Sequence, residues 1–345
     1  MDSAEKTLLV STGVIITTVS LFILAAKREN KKLPNPFSKC SPSKSMARKI
    51  KVMGIDMKKV GPRGLKIDNL ILEDAGEEIS LVELLSDKHI SLCKLDKGSR
   101  RMVFVRTPEG VDLMRDFAFF DVGQITNAEE LYIASFEDCF VASEKLMESI
   151  TLGSKLSYIF NTGRCGSTLL HKLFLRDGVC SLSEPEWTVD IVKFMDDKSF
   201  QEKDIVKILE CCNILAFHSA KLNNPGASFF SMNPKSQVTR YLRLLPKALP
   251  GAKVVFMSRD CPEVVESFSS IMGGRTPMWK RLLQRCLFRV FYPFMYYLGG
   301  SSFVMKKTTG RMYENFVVCT ANLVNHKDFL PFFRKVTPYS IFTGL

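Results

Sequence analysis

Residues 158–174 read YIFNTGRCGSTLLHKLF, and every other prediction from the chain is built outward from them. A run of β-branched and aromatic residues at 156–160 ends at Asn161-Thr162-Gly163. Apolar residues at helical spacing begin just after Gly166-Ser167-Thr168. This order predicts a strand, a tight loop and a helix.

Such a loop is suited to binding phosphate. Gly163 and Gly166 let backbone N–H groups approach an anion, and the start of the following helix adds partial positive charge. Arg164, Ser167 and Thr168 would add side-chain donors. The loop is not a Walker A motif, because Gly166 stands where that motif needs lysine. An ordinary glycine turn between a strand and a helix is the alternative.

After this element the chain alternates between strand and helix patterns. Apolar runs at 227–232 and 252–258 predict buried strands, and helical spacing covers 204–217, 237–245 and 261–272. Alternation of this kind predicts parallel strands with crossover helices, hence an α/β fold with a three-layer parallel sheet. In such sheets ligands bind at the carboxyl ends of the strands.

Charged residues occur at three places where we expect the chain to reach this edge of the sheet. Arg259 comes after the strand at 252–258, and Ser267 would lie in the next helix, where the two could bind a second phosphate. Lys235 follows the strand at 227–232. Glu184, after the first helix, would return to the same edge as a base. Singly, each residue has another explanation: an ion pair, a surface lysine, or an acid favoured at a helix start, as Glu186 also is.

Together these motifs make the chain resemble the sulfotransferases that use 3'-phosphoadenosine 5'-phosphosulfate (PAPS), above all the membrane-anchored tyrosylprotein and carbohydrate branches. Residues 162–170 resemble their 5'-phosphosulfate loop, and 255–267 resemble their 3'-phosphate motif. The segment 184–187 resembles their acidic segment that supplies the base, and Lys235 matches the lysine before the 3'-phosphate strand. The resemblance covers about 155–272.

The resemblance implies a P-loop-NTPase-like topology, PAPS as cofactor with PAP as product, no metal, and in-line transfer to a sugar, tyrosine or other hydroxyl. Gln237 stands where cytosolic members carry a catalytic histidine, so the base would be Glu184 or Glu186. The basic C-terminal phosphate loop of the family is not evident before Leu345.

An inactive membrane-tethered nucleotide-binding or scaffold protein is the alternative, and the missing Walker lysine disfavours a P-loop kinase or NTPase. The catalytic residues implied are Glu184, Lys235 and Arg164, and the cofactor-binding residues are Gly163, Arg164, Cys165, Gly166, Ser167, Thr168, Arg259 and Ser267.

The N-terminal part predicts membrane attachment. Leu8 to Ala26 is an uncharged apolar run long enough to span a bilayer once, after a short tail at 1–7. A cleaved signal peptide is the alternative, but the tail lacks the usual positive charge. Residues 27–66 form a basic stalk, 67–150 an α+β region of unknown role, and 151–345 the sulfotransferase-like domain.

The stalk at 27–66 carries 13 Lys and Arg against two acids, and the whole chain has a net charge of +12. Beside a spanning helix, anionic lipid head groups are a nearer partner than nucleic acid. A solvated flexible stalk fits equally well. Positive charge here favours a cytosol-facing domain, whereas the resemblance implies the Golgi lumen.

The region 67–150 shows no motif that carries chemistry. Residues 90–94 and 101–105 predict two short strands around a turn at Asp96–Ser99, and 128–148 contains helix-like spacing. The ten cysteines of the chain form no CxxC pair and no Cys/His cluster with zinc-ligand spacing.

Overall fold

A computed structural model describes residues 42–60, 65–147, 150, 152–175, 178–259 and 267, all within one compact unit, Cys40–Leu345. The predicted membrane span at 8–26 and, apart from Ser267, the predicted helix at 261–272 lie outside these residues. None of the helices in the described ranges is both long and apolar enough to cross a bilayer.

The first part of the chain forms a five-stranded sheet in which every neighbouring pair is antiparallel, in the order β2-β1-β5-β4-β3. The predicted hairpin at 90–105 is confirmed as β3 and β4. The strands are β1 (Met46–Ile55), β2 (Leu70–Ser80), β3 (Ile90–Asp96), β4 (Arg101–Arg106) and β5 (Glu130–Ser135), and the helices are α1 (Leu81–Ser86), α2 (Phe120–Thr126) and α3 (Phe136–Leu146).

Residues 46–55, which the sequence analysis counted in the basic stalk, form β1. Two of their basic side chains form ion pairs with neighbouring strands: Arg48 Nε lies 3.0 Å from Asp74 Oδ1 on β2, and Lys49 Nζ lies 2.8 Å from Glu130 Oε1 on β5. Basic and acidic side chains on adjacent strands therefore help to set the pairing of β1. This part of the basic block is structural rather than a free stalk.

The helix-like spacing within 128–148 is confirmed by α3, but the same range also contains a strand. Glu130–Ser135 forms β5, whose four central residues are buried. The helix α3 begins only at Phe136, because Ser135 is its N-cap and the Ser135 Oγ accepts a hydrogen bond from the Asp138 N–H at 3.0 Å. A strand that is buried on both faces lacks the period of two that would have revealed it.

The second part forms a four-stranded sheet in which every neighbouring pair is parallel, in the order β7-β8-β6-β9. The predicted α/β class with a parallel sheet is confirmed. The strands are β6 (Leu156–Asn161), β7 (Val179–Ser183), β8 (Phe229–Asn233) and β9 (Lys253–Met257), and the helices are α4 (Ser167–Phe174), α5 (Trp187–Met195), α6 (Glu202–Asn223) and α7 (Leu245–Ala248).

The predicted helix at 237–245 is instead a 3-10 helix, Ser236–Leu244, followed by the short α7. Pro246 accounts only for the end of this segment, because it has no N–H for an α-helical bond to Leu242. The Leu245 N–H bonds the Leu242 carbonyl in 3-10 fashion instead.

Helices contact both faces of the parallel sheet. On β7, the Cys180 Sγ donates to the Ala220 carbonyl of α6 at 3.4 Å, whereas the next residue, Ser181, places its Oγ 2.7 Å from His171 Nδ1 on α4. Successive side chains of a strand point to opposite faces, so α4 and α6 lie on opposite sides. Burial lowers the pKa of His171 to about 4, so this imidazole is neutral near pH 7.

The helix α6 also packs on the antiparallel sheet. The Ser219 Oγ donates to the Ile90 carbonyl of β3 at 2.7 Å, and the Asn213 Oδ1 accepts from the Tyr158 hydroxyl of β6 at 2.6 Å. Residues 211–217 are all buried. Side chains from both sheets accordingly belong to one continuous hydrophobic cluster.

We expect Phe217→Ala to destabilise the protein by about 3 to 5 kcal/mol. Phe217 is fully buried on α6 and its ring lies edge-on to Phe230, 5.2 Å between centroids, so truncation leaves a cavity. The matched control is Phe229→Ala, because the Phe229 side chain is 56% exposed. Urea unfolding of both variants is the measurement, and equal losses would contradict the assigned core.

Candidate functional site

The order of the strands in the parallel sheet reverses beside β6. The chain leaves β6, crosses to β7 at one side, returns to β8 next to β6, and then passes to β9 on the other side of β6. Ligands of open parallel sheets bind at the carboxyl ends of strands where the order reverses in this way. The connection that leaves β6 at this point is the glycine-containing loop at 162–166.

Three buried side chains join the carboxyl ends of the strands. The Asn161 Nδ2 donates to Asn233 Oδ1 at 3.1 Å, and the Asn233 Nδ2 donates to Ser183 Oγ at 3.4 Å. Asn161, Asn233 and Ser183 are the last residues of β6, β8 and β7. Since buried polar groups need partners, this side-chain ladder fixes the three strand ends relative to one another.

The loop after β6 has an unusual backbone. Gly163, Arg164 and Gly166 have φ angles of 77°, 55° and 90°, in the left-handed region, and the Gly163 N–H bonds the Asn161 Oδ1 at 2.8 Å. A non-glycine residue such as Arg164 is strained there by about 1 to 2 kcal/mol. Loops of this kind concentrate backbone N–H groups in an anion-binding concavity.

The helix α4 adds the amides of its first turn to this loop. Its N-cap is Gly166, no side chain caps it, and its first backbone bond runs from the Leu170 N–H to the Gly166 carbonyl at 3.1 Å. A helix start in this form offers N–H groups and partial positive charge to an anion. A Cβ built on Gly166 would meet no atom of the described residues within 4 Å, so none of them fills the space beside the loop. Ser167 is buried and Thr168 half-buried.

The Cys165 thiol belongs to the same loop. Burial raises the pKa of this thiol, while the backbone N–H groups of Ser167, Thr162 and Cys165 act in the opposite direction. The sulfur therefore lies close to the amides that the loop offers.

The two predicted phosphate motifs meet. The Arg164 Nε donates to the Ser267 Oγ at 3.0 Å across 103 residues of sequence. Arg259 lies two residues beyond the end of β9, the strand next to β6, and is exposed. Arg164, Ser267 and Arg259 thus come from three segments that reach the same side of the parallel sheet.

A second cluster lies at the ends of β7 and β8 and is centred on Lys235. The Lys235 Nζ is 2.6 Å from Glu186 Oε2 and 2.5 Å from Asp121 Oδ2. Lys235 comes two residues after β8, Glu186 is the residue before α5, and Asp121 is in the first turn of α2. All three side chains are less than 30% exposed. The cluster joins a lysine and a glutamate singled out from the sequence with an aspartate from the antiparallel part.

The environment of Glu184 favours its neutral form. Burial raises the pKa of the Glu184 carboxyl to about 7, Lys235 lowers it, and Asp121 and Glu186 raise it further. Glu184 has φ 54°, and its N–H donates to the Asn233 carbonyl at 2.7 Å. Within the described ranges nothing hydrogen-bonds the Glu184 carboxylate. A carboxyl with a pKa near neutrality can take up or release a proton at physiological pH.

Two charged groups near Glu184, Lys235 and Asp121, differ in how strongly their surroundings favour the charged form. Burial lowers the pKa of Lys235, but the two carboxylates outweigh burial and raise that pKa above its usual value. Burial raises the pKa of Asp121, against the effect of Lys235. The described residues contain no group of three or more His, Cys, Asp or Glu arranged to hold a metal ion.

Asp121 was missed by the sequence analysis. The only local signal is an acid in the first turn of a helix, which a helix dipole alone explains. The contact with Lys235 spans 114 residues, so no short motif contains both.

We expect Glu184→Gln to stabilise the protein increasingly as pH rises. Because the folded-state pKa is about 7 and the ordinary value 4.5, the unfolded chain loses this proton first, and wild-type stability falls between about pH 4.5 and 7. Glutamine removes this effect, a relative gain of up to roughly 3 kcal/mol above pH 7. Urea unfolding across pH is the measurement.

The matched control for this prediction is Glu202→Gln. A hydrogen bond from Lys247 lowers the pKa of Glu202, so its ionised form stabilises the fold and the variant should lose relative stability as pH rises. Parallel curves for wild type and Glu184→Gln would contradict the assigned environment of Glu184.

The structure brings the loop residues 163–168 together with Ser267, and places Glu184 and Lys235 at the ends of the two strands beyond β6.

Comparison of the whole chain with models of protein families, with curated proteins and with solved structures finds no match in any of the three.

Proposed function

We propose that the protein is a sulfotransferase that moves a sulfuryl group from PAPS to a hydroxyl acceptor, with a P-loop-like topology in its parallel sheet. The observation that carries the proposal is the contact of Arg164 with Ser267 at 3.0 Å. It joins the two segments that resemble the 5'-phosphosulfate and 3'-phosphate motifs. Glu184, whose carboxyl has a pKa of about 7, follows β7, the second strand from β6.

The donor set of the loop suits a phosphosulfate group. Arginine, serine and threonine side chains and the amides of a helix start all donate hydrogen bonds, and oxyanions accept them. The space at Gly166, which none of the described residues fills, lets an oxyanion approach the backbone. Gly163, Arg164, Cys165, Gly166, Ser167 and Thr168 would hold the 5'-phosphosulfate, and Arg259 and Ser267 the 3'-phosphate.

When bound, PAPS supplies an activated sulfuryl group. Glu184 would take the proton of the acceptor hydroxyl as the new oxygen–sulfur bond forms and the bond from sulfur to the 5'-phosphate oxygen breaks. Near pH 7 a substantial fraction of Glu184 is ionised and able to do this. The electron pair of the broken bond leaves with PAP.

Cations would stabilise the charge that develops on the leaving phosphate. Arg164 is one, since its planar guanidinium matches an oxyanion. Lys235 is the other cation. An ammonium has three N–H donors, and because Asp121 and Glu186 accept two of them, the third would be available to the phosphate. The two carboxylates also keep it protonated over the physiological range.

A catalytically inactive nucleotide-binding or scaffold protein is the second candidate. The ion pairs that Lys235 makes with Asp121 and Glu186 favour it, because they weaken the net positive charge next to Glu184. Such a protein would bind PAP without transferring sulfuryl groups. In either case we propose single-pass attachment through 8–26, in the Golgi by the resemblance or facing the cytosol by the charge pattern.

We expect Arg164→Ala to abolish PAP binding and Glu184→Gln to preserve it while losing transfer. Arginine contacts the anion directly, whereas Glu184 acts on the acceptor proton. Calorimetric titration of the full-length protein with PAP, with ADP and ATP as controls, measures the first effect. Transfer from PAPS to a panel of sugar, tyrosyl-peptide and small-alcohol acceptors measures the second.

Arg240→Ala is the matched control, because Arg240 is an exposed arginine bound to Asp196 at 2.7 Å. It should bind PAP as wild type does. Unchanged PAP binding in Arg164→Ala would overturn the assigned loop, and full transfer by Glu184→Gln would overturn the assigned base. Tight PAP binding without transfer to any acceptor would favour the second candidate.

A further inference from the structure

Asp121 is held rigidly at the edge of the parallel sheet by an element of the antiparallel part. Its Oδ1 accepts from the Val122 N–H at 2.8 Å, and its Oδ2 lies 2.5 Å from Lys235 Nζ. Both carboxylate oxygens therefore have fixed partners, and the side chain is only 15% exposed. A charged group that is buried and bonded in this way resists reorientation.

The helix that carries Asp121 is fixed as well. One turn on, the Gln124 Nε2 donates to Ser91 Oγ at 2.7 Å and to the Leu92 carbonyl at 3.0 Å, which ties α2 to β3. Gly123 lies so close to the Phe117 ring that an added Cβ would come within 2.7 Å of it. The position of Asp121 is therefore set by the antiparallel sheet.

Lys235 depends on Asp121 for its position. A lysine side chain is flexible and its ammonium is a compact point charge, so one ion pair alone would leave it several orientations. Asp121 and Glu186 bind it from two elements, α2 and the start of α5, and together define one place for the ammonium. Glu184 lies at the same place in the fold, because its N–H bonds the carbonyl of Asn233, two residues before Lys235, at 2.7 Å. Glu186 follows Glu184 by two residues.

Resting on the proposed function, we propose that Asp121 is a positioning residue: it fixes the Lys235 ammonium at the ends of β7 and β8 and sets how readily Glu184 gives up its proton. Asp121 touches neither the donor nor the acceptor in this scheme and acts through Lys235 and Glu184. The antiparallel part of the chain thereby contributes directly to the site on the parallel sheet.

Because the charges around Glu184 differ in sign, the proposal predicts opposite shifts of the Glu184 pKa for two substitutions. Among the residues that the structure describes, Lys235, Asp121 and Glu186 are the charged groups that shift the pKa of Glu184. Asp121→Asn removes a negative charge, so Glu184 should lose its proton at lower pH. Lys235→Gln removes a positive charge, so Glu184 should lose it at higher pH. A purely structural disturbance would not reverse its sign between the two variants.

The test is a carbon-13 NMR titration of the full-length protein labelled at the glutamate carboxyl carbons. Glu184→Gln identifies the Glu184 resonance by its disappearance. The titration midpoint of that resonance is then compared in wild type, Asp121→Asn, Lys235→Gln and the conservative Asp121→Glu. Asp68→Asn is the matched control, because Asp68 is in an ion pair with another lysine, Lys94, at 2.8 Å.

We expect the pH of the Glu184 titration midpoint to be lower than in wild type in Asp121→Asn and higher in Lys235→Gln. In Asp121→Glu it should return towards the wild-type value, and in Asp68→Asn it should not change. The same midpoint in Asp121→Asn and wild type would overturn the proposal. Should Asp121→Asn fail to fold, a midpoint in Lys235→Gln that is unchanged or lower would overturn it.

The turnover assay adds an independent reading. In Asp121→Asn, kcat should fall while the Kd for PAP stays as in wild type, and the rise of kcat with pH should begin at lower pH. A wild-type protein that neither binds PAP nor transfers sulfuryl groups would refute the proposed function, while the NMR midpoints would still decide whether Asp121 sets the proton affinity of Glu184. An unchanged kcat and pH profile in an active enzyme would refute the role of Asp121 alone.

Discussion

The burial of α6 between two sheets is the constraint on which the rest of the structure depends. Its hydrogen bonds reach β3 on one side and β6 and β7 on the other. A helix that is apolar around most of its circumference is stable only when it is covered on all sides. The antiparallel and parallel sheets are therefore needed together, and this is what lets α2 reach the edge of the parallel sheet.

The site itself works against stability. Burial and two nearby carboxylates raise the pKa of Glu184 to about 7, which costs stability once the carboxyl ionises. Both Glu184 and Arg164 also have left-handed backbone conformations that strain a non-glycine residue. The surrounding structure holds them there through the bonded strand ends at Asn161 and Asn233. Backbone strain and shifted pKa values both cluster at functional sites.

The sequence predicted the local elements of the site and missed those that depend on distant contacts. The strand, loop and helix at 156–174 carry their own signals. The sequence placed Arg164 and Ser267 in two separate phosphate motifs and did not predict the hydrogen bond between them. Asp121 could not be found, because only the packing of α2 on β3 brings it to Lys235. Likewise β1 looked like a solvated basic segment, since the acids that pair with it lie on other strands.

The bonds that assemble the site also bear on how the chain folds. The contacts Asn161–Asn233, Arg164–Ser267 and Lys235–Asp121 join residues 72, 103 and 114 positions apart. Contacts of such long sequence separation form late, because loop closure costs entropy before they contribute any stability. The β3–β4 hairpin, by contrast, can form as soon as the short turn between its two strands closes. A ligand of this site would accordingly recognise the finished fold alone and would pull the folding equilibrium towards it by mass action.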